Sequence, residues 1–252
     1  MADGGPAVDQ AARMAKVRAK LVEVGWPALY KDVTPLQYLD VGWGSRETDQ
    51  VAMFGNELEL PKCTGKPNVW WQVAPDVRYC IVAFDADATE AAPAAAEVTS
   101  PSPFAAPTGQ PSPPLYLHWL RFNVTGDLQY STGRDVVRWQ APHPPEGAAP
   151  RRFFVACFEQ TAGDVDVAKL PLVATTSTQH RRGFSLVRLA VDHKLRFLGA
   201  NCVRFGFHAA VVPKLVASLR DEVVLDPTGR RVVAEVHNGV RREFATEAPK
   251  AL

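Results

Sequence analysis

Apolar positions in this chain change from a helical to a strand-like rhythm near residue 38. Before that point Met14, Val17, Leu21 and Val24 recur at three- and four-residue steps, which places them on one face of a helix over residues 8–24. Gly25 and Pro27 end the pattern. Such a helix either packs on its own domain or docks a partner, and the spacing fits both equally. From Leu39 onward, apolar runs predict strands at 39–41, 58–60, 69–73, 79–84, 116–124 and 152–158. Gly, Pro and Asp turns separate these runs at close intervals, so the expected fold is mainly β, an antiparallel sandwich with few peripheral helices.

Residues 88–114 break the rhythm. They are rich in Ala, Ser and Thr and hold seven prolines, which forbid a helix or a strand ladder and predict a flexible or polyproline-like insertion. After a short helix expected at 212–220, the tail reads as a three-stranded meander. Its strands are 223–225, 232–236 and 240–244, with turns at Asp226-Pro227-Thr228-Gly229 and Asn238-Gly239. The expected organisation is therefore a helical extension at 1–38, a central domain at 39–220 carrying the insertion, and a β extension at 221–252.

Composition narrows the function. The 252 residues carry a net charge of +1, which gives no long-range field toward nucleic acid or an anionic membrane. Arg pairs such as Arg151-Arg152 and Arg181-Arg182 leave an RNA contact open, but the overall charge does not indicate one. No stretch approaches the roughly 18–20 apolar residues of a membrane span. Cys63, Cys80, Cys157 and Cys202 are widely spaced, which argues against a zinc site or disulfide framework and for a reducing compartment. The N-terminus lacks the apolar core of a secretion signal, and its Arg and Lys residues are accompanied by Asp3 and Asp9. An intracellular protein, mitochondrial or cytoplasmic, is expected.

The candidate chemistry lies in four segments. Asp85 and Asp87 follow an apolar strand, His118 sits within another, residues 142–147 form a proline-stiffened loop, and Arg151-Arg152 opens the next strand. A carboxylate, an imidazole and loop amides converging on one point can hold a phosphate or small polar headgroup. The same residues serve equally as a satisfied core histidine and a turn-capping aspartate. Nothing places a nucleophile, a phosphate-binding Gly loop or a metal site, so neither catalysis nor a cofactor is expected.

In order, Asp85-Ala86-Asp87-Ala88-Thr89, His118-Trp119-Leu120, Ala141-Pro142-His143-Pro144-Pro145-Glu146-Gly147 and Arg151-Arg152-Phe153 resemble the motifs of the phosphatidylethanolamine-binding protein family. His180-Arg181-Arg182-Gly183-Phe184 and Val203-Arg204-Phe205-Gly206-Phe207 are similar to its C-terminal part. The resemblance covers about residues 39–220. It implies the family's β-sandwich and a small anion pocket formed by Asp85, Asp87, His118, Pro144, Pro145 and Arg151. It also shows the pocket's divergence. Two prolines of the first motif are Ala86 and Thr89, loop glycines are Ala141 and His143, a second histidine is Arg151, and a tyrosine is Phe153. Arg151 either binds phosphate or pairs with Asp85 and fills the hole. The expectation is an interaction protein within a larger assembly of protein partners, for which the resemblance suggests the mitochondrial ribosome. The alternative is a soluble regulator holding an anionic small ligand weakly.

Overall fold

The structure, a computed structural model, describes residues 6–44, 50–88, 103–105, 115–125, 132–170, 173, 179–211, 224–225, 231–237 and 240–245. The helices are α1 (Pro6–Glu23), α2 (Trp26–Leu29) and α3 (Leu186–Asp192). The strands are β1 (Asp40–Gly42), β2 (Asn56–Glu57), β3 (Asn68–Trp70), β4 (Arg78–Asp85), β5 (Leu115–Thr125), β6 (Arg134–Val137), β7 (Arg151–Gln160), β8 (Arg182–Phe184), β9 (Leu195–Phe205), β10 (Val224–Leu225), β11 (Arg231–His237) and β12 (Val240–Ala245). The mainly β expectation holds. Six strands of one large sheet run in the order β2-β9-β7-β4-β5-β6, with β8 also paired to β5. Its pairings are antiparallel except β2 with β9.

Strands β4, β7 and β9 are buried on both faces, which explains their unbroken apolar runs. Alternation divides each run between two cores. Cys80, Val82, Phe84, Phe154, Ala156 and Phe158 join Val17, Leu21, Val24 and Trp26 on the helical side. Tyr79, Ile81, Ala83, Phe153, Val155 and Cys157 meet Val41 and Val69 of the small β1–β3 sheet on the other. The N-terminal helix thus packs on the domain. Gly25, at φ 84, turns the chain so that Trp26 stacks on Phe197 with centroids 5.0 Å apart. The indole N–H of Trp26 donates to the Asp32 carbonyl at 3.0 Å.

Several boundaries differ from the sequence reading. Residues 58–60 are not a strand: the ladder ends at Glu57, and Leu60–Lys62 forms a 3₁₀ turn whose second residue, Pro61, cannot donate to a ladder. Strand β3 ends at Trp70, earlier than expected. Strand β9 contains the longest segment that the periodicity missed, because Gly199, Asn201 and Arg204 interrupt its apolar pattern. Gly199 is required there, since a Cβ would lie 2.6 Å from the Gln37 carbonyl oxygen. The meander forms as expected, with β11 between β10 and β12. The helix expected at 212–220, both meander turns and most of the insertion lie outside the described residues. Within the insertion Phe104 is buried in the helical-side core, and its carbonyl accepts the Ser185 N–H at 2.9 Å.

Asn201, 1% exposed, joins three segments through one carboxamide. Its Oδ1 accepts from the backbone N–H groups of Phe54 and Cys202, and its Nδ2 donates to the carbonyls of Leu39 and Ala52. Asn201→Ala leaves these buried groups without their partners, at about 1–3 kcal/mol each when unsatisfied. The variant is expected to lose ~3 kcal/mol or more in urea unfolding; a loss below about 1 kcal/mol would show that other groups hold these segments.

Candidate functional site

The Arg151-Arg152 dipeptide at the start of β7 organises the site. Successive strand residues point to opposite faces, so the two guanidinium groups separate. Arg151 shares its face with Phe153 and donates from Nη1 to Asp85 Oδ2 at 3.1 Å. The two side chains are 15% and 12% exposed, making this a largely buried ion pair. Asp85 Oδ1 accepts the Asp87 backbone N–H at 2.8 Å, closing a turn at the end of β4. Arg152 points the other way. Its Nε and Nη2 donate to the Asp87 carboxylate, which also accepts the Arg152 backbone N–H. Arg152 Nη1 reaches the Val24 carbonyl at 2.9 Å, just beyond the last residue of α1.

The two aspartates consequently titrate differently. Burial raises Asp85 above the usual carboxylate range, and the Asp87 N–H and Arg151 offset this only in part. Burial also pushes Asp87 upward, but hydrogen bonds and charge from Arg152 outweigh it and hold the carboxyl below its ordinary value. Asp87 belongs to the clamp between β7 and α1. Asp85 instead pairs with Arg151 on the opposite side of the sheet.

His118 occupies a bulge of β5, between the pairs Ala83–Trp119 and Phe84–Leu117. Its ring is 2% exposed, and Nδ1 lies 2.9 Å from the Gln140 carbonyl oxygen. A carbonyl only accepts, so Nδ1 carries the proton and Nε2 is the free lone pair of a neutral ring. Ring centroids of Tyr116 and Phe153 each lie 5.0 Å away, and that of His143 lies 5.6 Å away. His143 Nδ1 likewise donates to the Ala141 carbonyl at 3.0 Å. Thus the side chain at a glycine position of the resembled loop packs against His118. Pro142 and Pro144 are buried, whereas Pro145 is exposed on the outer turn.

Burial drives His118 well below its ordinary pKa, with His143, Arg181 and Arg151 adding to the depression. His143 is lowered by burial first, then by Arg151, Arg181 and Arg182, against the pull of its carbonyl partner. Tyr116 is pushed up to about 12 by burial and donates its hydroxyl to Gln140 Oε1 at 2.7 Å. Arg181 is fully buried and donates to the carbonyls of Leu117, His118 and Arg138. The structure therefore brings Asp85, Arg151 and His118 to one side of the sheet and directs Asp87 to the other. Gln140 and Tyr116 complete the site without having been singled out, marked only as polar groups beside apolar residues, and Arg181, noted only within the 180–184 motif and as an Arg pair, joins them. Among the described residues no group of three or more His, Cys, Asp and Glu side chains is placed to hold a metal.

No family model matches the chain. It is 33% identical over 72 residues to the rice (Oryza sativa subsp. japonica) Protein MOTHER of FT and TFL1 homolog 2, a match spanning 29% of this chain and 37% of that protein. The chain thus covers little more than a third of that relative's length. Its structure is similar to the carboxypeptidase Y inhibitor solved with its cognate proteinase, at a TM-score of 0.56 and 14% identity over 77% of this chain and 97% of the inhibitor. It is also similar to the phosphatidylethanolamine-binding protein of Plasmodium vivax, at 0.55 and 17% over 76% and 98%. Among the described residues no helix is long and apolar enough to cross a membrane.

Buried His118 and half-buried His143 link stability to pH. His118 and His143 have folded pKa values below that of an unfolded histidine, about 6.5. Near neutral pH both states leave them neutral; below about 6.5 the unfolded chain takes up protons that the folded chain resists. Stability is therefore expected to fall between pH 7 and 5, by up to about 1.4 kcal/mol per pH unit for each such histidine. His193, lowered by burial elsewhere, adds to the slope, while Asp85, with its raised pKa, opposes it as it protonates. Urea unfolding of His143→Gln across this range should give a shallower slope than the parent. An unchanged slope would mean that His143 charges freely in the folded state.

Proposed function

We propose that this chain, which has the phosphatidylethanolamine-binding protein fold, is a non-catalytic interaction protein with a diverged anion pocket, a subunit of a larger assembly. The observation that carries this reading is the Asp85–Arg151 ion pair. The cation positioned for a ligand anion is already neutralised by the protein's own carboxylate, and the His143 ring packs on His118. An incoming anion must displace Asp85. Separating a buried pair costs roughly 3–5 kcal/mol, whereas a ligand with a 1 mM dissociation constant supplies only about 4 kcal/mol. The exchange is near balance, so headgroup binding is weak at best.

A neighbour in fold supports a role in holding other proteins, since the carboxypeptidase Y inhibitor is solved in complex with its cognate proteinase. The partners proposed here are proteins, in an intracellular assembly for which the mitochondrial ribosome is the leading candidate by resemblance. The net charge of +1 favours protein contact over bare RNA. The second reading, an anion-binding regulator, rests on the concentration of Arg151, Arg181 and Arg182 around two neutral histidines.

Two measurements separate these readings. Sedimentation of the tagged protein from gently lysed source cells should place it with a large particle; recovery as a free species would count against the assembly. Titration with phosphate and phosphoethanolamine, followed through the His118 and His143 ring signals, should show no saturation below about 1 mM. Asp85→Asn removes the competing charge and is expected to improve phosphate binding by about tenfold or more. Micromolar binding by the parent, lost in Asp85→Asn, would establish the regulator instead.

A further inference from the structure

The two carboxylates near the end of β4 are held differently. Asp87 accepts the backbone N–H of Arg152 together with Nε and Nη2 of its guanidinium. Asp85 accepts Arg151 Nη1 at 3.1 Å and the Asp87 N–H at 2.8 Å. Arginine keeps its charge at every accessible pH, so a proton enters the Asp85–Arg151 pair only on the carboxylate. A neutral carboxyl retains an oxygen to accept the Asp87 N–H, so the turn survives that uptake. The counter-charge does not. Arg151 keeps its charge in a largely buried position and loses the carboxylate facing it, a costly state that a small anion relieves. The two side chains are 15% and 12% exposed, so the pair is reached from solvent.

The surrounding charges favour this exchange. Arg151 and Arg152 of β7 and Asp87 act on Asp85, and its own charge acts on Tyr116 of β5. Arg151 in turn acts on His118 of β5 and His143 of the proline loop, with Arg181 acting on both and Arg182 on His143. Burial pushes Asp85 above the usual carboxylate range, against its contacts with Asp87 and Arg151. Burial raises Asp87 too, but Arg152 outweighs it and keeps that carboxylate charged. Asp85 is the one poised to change.

We infer that the Asp85–Arg151 pair is a proton-operated latch: it is closed at neutral pH, and protonation of Asp85 frees Arg151 for a small tetrahedral oxyanion. The latch presupposes the competition between Asp85 and an anion for Arg151 proposed above. Linkage is reciprocal, so anion binding must also draw a proton onto Asp85.

The probe is sulfate, whose charge stays constant where phosphate titrates, added to the full-length protein by calorimetry at constant ionic strength. Its affinity is expected to rise about tenfold or more between about pH 7.5 and 5. Asp85→Asn, neutral at every pH, should bind tightly throughout and lose most of this dependence. Arg151→Gln should not saturate at either pH. Buffers of different ionisation enthalpy should reveal uptake of about one proton per sulfate by the parent, a test that needs no variant. Protonated His118 and His143 also favour anions, and their share is the dependence that Asp85→Asn retains. If Asp85→Asn gains no affinity at neutral pH, or Arg151→Gln saturates, the competition falls and the latch with it. If Asp85→Asn gains affinity but retains the whole pH dependence, or the parent shows neither dependence nor proton uptake, the latch alone is overturned. At about pH 5, tighter binding of O-phosphoethanolamine than of sulfate would assign the anion to a lipid headgroup, and equal or weaker binding to a free ion. Either result supports the latch.

Discussion

The structure depends on the two arginines that open β7. Strand alternation sends adjacent side chains to opposite faces, so one dipeptide serves two separate sites. Arg152 grips Asp87 on one face and the Val24 carbonyl at the end of α1. Helix C-termini leave carbonyls without intrahelical partners, and a guanidinium there is favoured by both hydrogen bonding and the helix dipole. The clamp is packed closely enough that a Cβ on Gly25 would come within 2.4 Å of Arg152 Nη1. Glycine is needed at that position twice over, for its left-handed backbone and for its missing side chain. The turn then delivers Trp26 into the aromatic cluster with Phe84, Phe154 and Phe197. The N-terminal segment is therefore part of the core.

On the other face, Arg151 has a different partner. A buried guanidinium needs a counter-charge, and Asp85 provides it from the end of β4. An exposed ion pair would contribute little and exchange readily with solutes. This one is shielded, so its separation is costly and an anion gains only the difference between two similar interactions. Both histidines stay neutral because burial disfavours the imidazolium, and the positive charge of Arg151 and Arg181 adds to the effect. The protein supplies its own anion, then surrounds the pair with apolar and aromatic groups.

Much of the fold was legible because continuous apolar runs such as Cys80-Ile81-Val82-Ala83-Phe84 and Phe153-Phe154-Val155-Ala156-Cys157-Phe158 signal strands buried on both faces. The order of motifs then indicated the architecture. Strand β9 was harder, since Gly199 and Asn201 lie in its interior for tertiary reasons: a close approach of the Gln37 carbonyl and a four-way bond to neighbouring segments. Residues 58–60 misled because three residues of alternating polarity fit both a strand and the approach to a 3₁₀ turn. In the site, proximity of Asp85, His118 and Arg151 was anticipated, but two outcomes for Arg151 were left open. Choosing between them requires strand register, because register decides which aspartate each arginine meets. Periodicity alone does not carry that information. His143 is the opposite case: its identity is plain, but its packing on His118 depends on where the proline loop folds back.

The helix α1 connects these observations. A stripe apolar throughout would be expected to close against the sheet along its full length, as its C-terminal half does. Exchanging apolar residues for Arg13 and Gln10 on the same face prevents complete burial, because a charge and a carboxamide need water or partners. The interruption coincides with Tyr38, Trp70 and Trp71, side chains that combine large apolar surface with a polar edge. The cleft there stays open between polar and aromatic side chains, whereas the Asp85–Arg151 pair is buried and internally neutralised. Asp85 and His118 are thus buried, while the cleft beside the N-terminal helix remains open.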